Sequence, residues 1–189
     1  MTRQDGPRIN EDHLRQGSPT NTTFVETMPR LMAGTDNAIG ATGVCHATAV
    51  PLQAGDVVSN ITFITGGTAA GTPTAGFAAL YSSAATPALL AQTADFGSTA
   101  RAANTAYTVA LASAVTITTP GIYYVVISFT ATTVPTLRGA SVGNATVAGA
   151  IGLSAKVLAQ THGSGVGATA PATIATPTTV ATPVYYALT

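Results

Sequence analysis

IYYVVISFT, residues 122–130, is the stretch that decides the fold. Eight of its nine residues are β-branched, aromatic or both strand-compatible and apolar in setting, and it follows Thr119-Pro120-Gly121, a turn signal. A run this short, bounded by Pro and Gly and rich in Val, Ile and Tyr, reads as a strand and not as a helix. Its neighbours follow the same rule. Tyr107–Ile117 alternates as Tyr107, Val109, Leu111, then Val115 and Ile117. Val44–Leu52 sets Val44, His46, Thr48 and Val50 on one face and Cys45, Ala47 and Ala49 on the other. Val57–Thr65, Phe77–Ser82, Ala88–Thr93 and Val184–Leu188 complete the set of expected strands. Short strands at this spacing, punctuated by Gly and Pro, predict an all-β protein with a β-sandwich or jelly-roll-like body.

Ala favours helices intrinsically, and the chain holds 36 of them. Here they are interleaved with 34 Thr and 19 Gly and form no stripe of period 3.6, so the period-2 pattern prevails. Residues 139–182 are the least patterned. A strand is expected over Ile151–Leu158. Thr161–Thr182 reads as a long loop, which is functional or disordered unless a neighbouring chain orders it.

Charge divides the 189 residues into two parts. Only 14 are charged, seven of each sign, or 7%, against roughly 25% in an average soluble domain. Eight of them lie in the first 30 residues: Arg3, Asp5, Arg8, Glu11, Asp12, Arg15, Glu26 and Arg30. The rest of the chain holds Asp36, Asp56, Asp95, Arg101, Arg138 and Lys156. This step predicts an extended N-terminal anchoring arm, residues 1–33, and a β-sandwich domain, residues 34–189. The eight charges of the arm are the candidate partner-binding residues.

The same composition argues against several functions. Zero net charge with seven basic residues does not suit a protein that tracks nucleic-acid phosphates. The N-terminus lacks the apolar core of a signal peptide. The run Ile122–Ile127 is far short of the roughly 20 residues that cross a bilayer, so no membrane partner is expected. One cysteine, Cys45, allows no internal disulfide. His46 is its neighbour, and on a strand the two point to opposite faces, which leaves no metal cluster. Asp36, Asp56 and Asp95 stand in turn-like contexts. Asp95-Phe96-Gly97 spells a kinase triplet without the other kinase motifs, and Thr161-His162-Gly163-Ser164-Gly165 only loosely echoes a nucleophile elbow. No catalytic residue, metal or cofactor is expected, and a hydrolase is the least favoured reading. Tyr123-Tyr124 and Tyr185-Tyr186 each place one ring on each strand face. Tyr124 and Tyr185 are therefore candidate surface aromatics for stacking on a sugar.

So few charges on a body of this size leave two readings: a surface of Thr, Ser, Asn and Gln hydroxyls and amides, or a surface largely covered by other subunits, as in a symmetric homo-oligomer. The segments DVVSNITFITGGTAAGTPTAGFAALYSS, LLAQTADFGSTARAANTAYTVALASAVTI and TTPGIYYVVISFTATTVPTL, in that order from Asp56 to Leu137, resemble small virion proteins of tailed bacteriophages, especially those of actinobacterial hosts. The Thr-Pro-Gly-Ile-Tyr-Tyr turn resembles a strand-joining corner of trimeric jelly rolls. The resemblance implies a non-enzymatic structural protein of the virion, assembled in the host cytoplasm, with major capsid or tail proteins as partners. Capsid decoration on the head surface is the favoured expectation. The alternatives are a minor tail or fibre protein in host adhesion and a carbohydrate-binding module that touches a host surface glycan.

Overall fold

The computed structural model describes residues 24–144, 147, 149 and 156–189. Its strands are β1 (Val25–Glu26), β2 (Thr35–Ala38), β3 (Cys45–Leu52), β4 (Val57–Ile64), β5 (Gly71–Tyr81), β6 (Leu89–Gln92), β7 (Ala106–Thr116), β8 (Gly121–Thr133), β9 (Thr136–Gly139), β10 (Ala159–His162), β11 (Thr178–Thr179) and β12 (Tyr186–Leu188). All pairings are antiparallel. One sheet has the order β1-β12-β4-β7, the other β11-β10-β3-β8-β5-β6, and β2-β9 forms a separate ribbon. The protein is an all-β sandwich, as the sequence predicts.

Strand β8 is the centre of the larger sheet, with Val126 opposite Ala47 of β3 and Ala79 of β5. Tyr123, Val125, Ile127 and Phe129 point between the sheets and meet Val58, Ile61, Phe63, Tyr186 and Leu188 of the smaller one. Burying each such side chain stabilises the fold by about 1.5–3 kcal/mol. Phe63, Phe96 and Phe129 touch one another, with centroids 5.5–6.1 Å apart.

The other face of β8 is also buried. Tyr124 and Val126 join Cys45, Ala47, Phe77, Ala79 and Tyr81 beneath a second apolar layer that includes Ala170 and Ile174. This double burial is why residues 122–130 read as one continuous apolar run and not as an alternation.

The cover comes from the stretch expected to be a long loop in need of a neighbour. It is ordered instead by its own sheet. The Gln92 amide brackets it, donating to the Ala168 carbonyl at 3.2 Å and accepting from the Ala170 N–H at 2.8 Å. Tyr81 Oη donates to the Pro171 carbonyl at 2.6 Å, and the Leu89 and Ile174 N–H groups bond to Ala172 and Pro87 carbonyls. These bonds satisfy a backbone that forms almost no regular structure.

The strand expected over Ile151–Leu158 is displaced. Residues 151–155 lie outside the described residues, Lys156–Leu158 are not strand, and β10 begins at Ala159. Asp36 also departs from the turn reading. It lies in β2, where it pairs with Arg138 Nη1 at 2.8 Å and accepts the Gly67 N–H. Asp56 does close a turn, accepting the Gln53 N–H at 2.7 Å.

Candidate functional site

Of the eight charged arm residues, Arg3, Asp5, Arg8, Glu11, Asp12 and Arg15 lie outside the described residues. The other two lie at the root of the arm, inside the sandwich. Val25 is fully buried, and β1 pairs with β12. Glu26 is 2% exposed; it accepts a 2.6 Å hydrogen bond from Tyr185 Oη and an ion-pair contact from Arg30 Nε. Arg30 is the exposed partner, and its guanidinium also sits 5.6 Å above the Phe24 ring. Residues 25–26, assigned from the sequence to the arm, thus form a strand of the sandwich. Charge counting missed this because a charged pair bonded to a buried tyrosine looks, in sequence, like any surface pair.

Beside this root, Leu31 and Met32 are exposed, and Met28, Met32, Leu158 and Pro183 line an apolar recess of about 240 Å³. An exposed apolar cluster of this kind is suited to the core of a protein–protein contact.

Tyr124 and Tyr185 were expected to offer exposed rings. They are 2% and 4% exposed. The second layer covers Tyr124, whose hydroxyl donates to the Val157 carbonyl at 2.9 Å. Tyr185 packs with Met28 and Ala187, and its hydroxyl is held by Glu26. Burial, with Glu26 close by, pushes the Tyr185 hydroxyl above its ordinary pKa, and burial alone does the same to Tyr124. Both rings are thus buried, although Tyr124 still lines the floor of an open groove on the outer face of the larger sheet.

Every charged residue among those described makes a contact within its own chain. Glu26 binds Arg30, and Asp36 binds Arg138, which also donates to Asn104 Oδ1. Asp56 and Asp95 close turns. Arg101 stacks over Phe96 and Tyr107 at 5.0 and 4.6 Å, and Lys156 Nζ donates to the Ala84 carbonyl.

The reactive residue types are buried. Burial pushes the Cys45 thiol up to about 12, so it stays protonated and a poor nucleophile. His162 stands opposite Cys45 across β10 and β3, and its ring meets Tyr81 edge-on at 6.1 Å. No group of three His, Cys, Asp or Glu gathers among the described residues.

His46 is 1% exposed, and burial holds its imidazole down at about 4 against an ordinary 6.5. The unfolded chain takes up this proton near 6.5 and the folded chain only near 4. Stability is therefore full above pH 6.5 and falls by about 3 kcal/mol as the pH descends to 4. Burial lowers His162 as well, which adds a loss of the same sign. Denaturant titrations across this window should show a distinctly shallower loss in His46→Gln than in the wild type; equal slopes would mean that His46 does not carry the effect.

On the outer face of the larger sheet lies an open groove of about 470 Å³. The β5–β6 loop contributes Thr86 and Pro87, the cover contributes Ile174 and Thr176, and Lys156 and Gln160 come from the approach to β10 and from β10 itself.

The chain matches no known family model, and no curated protein matches it in sequence.

Proposed function

We propose that the chain is a non-enzymatic structural protein of a bacteriophage virion. In this reading it decorates the head, with its N-terminal segment gripping the shell while the sandwich coats it. One observation carries the reading: the described charges are all engaged within the sandwich. The six that remain, three of each sign, all fall within residues 1–15. A neutral β body with segregated charge suits orientation-fixing contacts to a larger partner such as a major capsid protein. The exposed Leu31 and Met32 beside the root extend that contact with apolar surface. The low charge of the body suits a coat in which copies lie side by side as a symmetric oligomer. A tail or fibre location, in host adhesion, is the second reading, and the outer groove favours it.

The test is to add tagged full-length chain to particles that lack it and to image them. Density over the head, released by high salt, is expected, because ionic contacts are screened. Density on the tail would transfer the proposal to the second reading. Failure to associate with any part of the particle overturns both.

A further inference from the structure

We infer that residues 163–177, the cover on the outer face of the larger sheet, form an acid-sensitive flap latched at His162, which lifts when that ring takes up a proton. The inference does not depend on where the chain sits on a particle.

His162 ends β10 and leads directly into the cover. It is 5% exposed, and its Nε2 is buried without a hydrogen-bond partner. A neutral imidazole can bury that nitrogen as an unused acceptor. An imidazolium carries an N–H on both nitrogens, so protonation leaves a charged donor at Nε2 with nothing to receive it.

Nothing packed around the ring offsets the charge. From β3, Cys45 stands opposite, and burial keeps its thiol protonated. His46, the next residue, points to the other face of β3, toward Thr182. From β5, Tyr81 meets the ring edge-on; burial raises its pKa too, and its hydroxyl donates to the Pro171 carbonyl of the cover. Beyond β3, β8 brings Tyr124, which burial likewise keeps un-ionised. On the other side, β11 offers only Thr178 and Thr179. Residues 163–177 contain no titratable side chain. The side-chain carboxylates among the described residues are bonded elsewhere, Glu26 to Arg30, Asp36 to Arg138, and Asp56 and Asp95 to turn N–H groups. A protonated ring must therefore reach water. Strands β3 and β11 flank it within the sheet, so the cover is the side that yields.

The cover is built to part from the sheet as a unit. Left-handed backbone marks both of its ends, Gly163 at φ +70° and Gly165 at +63° on one side and Thr176 at +46° on the other. A β-branched residue adopts that conformation only when its surroundings impose it, so lifting relieves Thr176. Between these ends the cover gives Ala170, Ile174 and part of Val166 to the outer apolar layer, and nothing to the core between the sheets. Its backbone is held at separate points, by the Gly43 and Pro87 carbonyls, the Gln92 amide and the Tyr81 hydroxyl. Lifting it leaves the sandwich core intact and bares Phe77, Tyr81, Tyr124 and Val126.

The sign follows from burial, which lowers the His162 pKa in the closed form below the 6.5 of an open one. Closure is therefore favoured in full above pH 6.5 and is lost as the pH falls below it. A single proton permits a rise in opening of up to about tenfold between pH 7.5 and 5.5.

The test is hydrogen exchange on the full-length chain at these two pH values, read residue by residue by NMR and corrected for the intrinsic exchange rate. The Val166, Ala170 and Ile174 amides should open several-fold more at the lower pH, while the Val125 and Val126 amides at the centre of β8 stay protected. His162→Gln, which stays uncharged at both values, should remove the rise, and His46→Gln should leave it in place. A rise that survives His162→Gln, or that vanishes in His46→Gln, overturns the inference. So does opening of β8 in step with the cover. The wild-type chain supplies a check that needs no variant to fold: a His162 ring that titrates at its ordinary 6.5 while the cover amides remain protected also overturns it.

Discussion

Deletion of residues 1–30 is expected to destroy a sandwich that deletion of residues 1–23 leaves standing. The difference lies in what residues 24–30 do. Val25 fills the core and faces Leu188 across β1 and β12. Thr27 is bonded three times to the chain's end: its N–H donates to Tyr186, its hydroxyl donates to Val184, and its hydroxyl accepts from the Tyr186 N–H. Glu26 satisfies the buried Tyr185 hydroxyl. Removing all of this deletes about 1.5–3 kcal/mol of Val25 burial. It also leaves several buried polar groups without partners, at about 1–3 kcal/mol each. The sum reaches the total stability of an ordinary domain, about 5–15 kcal/mol. Urea unfolding should show a cooperative transition near the wild-type midpoint for the shorter deletion and none for the longer. In co-sedimentation with particles, the shorter deletion should lose docking while remaining folded. Retained docking by that variant would sink the anchoring role of the first 23 residues; a normal midpoint for the longer deletion would show that β1 is dispensable.

The parts of the fold legible in sequence are those whose burial has one cause. Strand β7 reads cleanly because Tyr107, Val109 and Val115 pack on the core while Thr108 and Ala110 face outward. Strand β8 reads as a strand because Ile, Val and Tyr can be buried on both faces. Strand β10 could not be read. Its outer-face residues are Gln160 and His162, opposite Ala47 and Cys45, so its buried side looks polar in sequence. The cover over 163–177 was opaque for a related reason. Its order comes from a glutamine, a tyrosine hydroxyl and backbone bonds distant in sequence, none of which leaves a periodic trace.

The candidate site was legible to a different degree. Charge segregation was visible as a count, but not that Glu26 turns inward, which depends on Tyr185 far along the chain. Tyr124 and Tyr185 were selected by strand alternation. Alternation assigns a face but does not say whether something covers that face. Sequence therefore shows how charge is divided along the chain, and structure shows that the described charges are spent within the sandwich.

Gly97→Ala is expected to be the most damaging single substitution in the chain. Asp95-Phe96-Gly97, which in sequence looks like a chance triplet, clasps β5 where its pairing with β8 shifts register between Pro73 and Ala75. Asp95 Oδ1 accepts from the N–H groups of both Gly76 and Gly97, at 2.9 and 2.8 Å, and the Phe96 N–H bonds back to the Gly76 carbonyl. The two backbones are so close that a Cβ on Gly97 would lie 1.8 Å from the Ala75 carbonyl carbon and 2.3 Å from the Gly76 nitrogen. These are backbone atoms, so no rotamer change relieves the overlap. The clasp must open, which pulls Phe96 from Phe63 and Phe129 and takes away a ring on which Arg101 stacks. Losing that packing together with the hydrogen bonds should cost more than about 4 kcal/mol, in the range reserved for disrupted cores. Gly34→Ala is the control, since nothing lies within 4 Å of its added Cβ. Its unfolding free energy from the urea titration should stay within about 0.5 kcal/mol of wild type. If Gly97→Ala unfolded at the midpoint of that control, the clasp would be a loop that yields freely, and the register of β5 on β8 would have to be fixed by the strands alone.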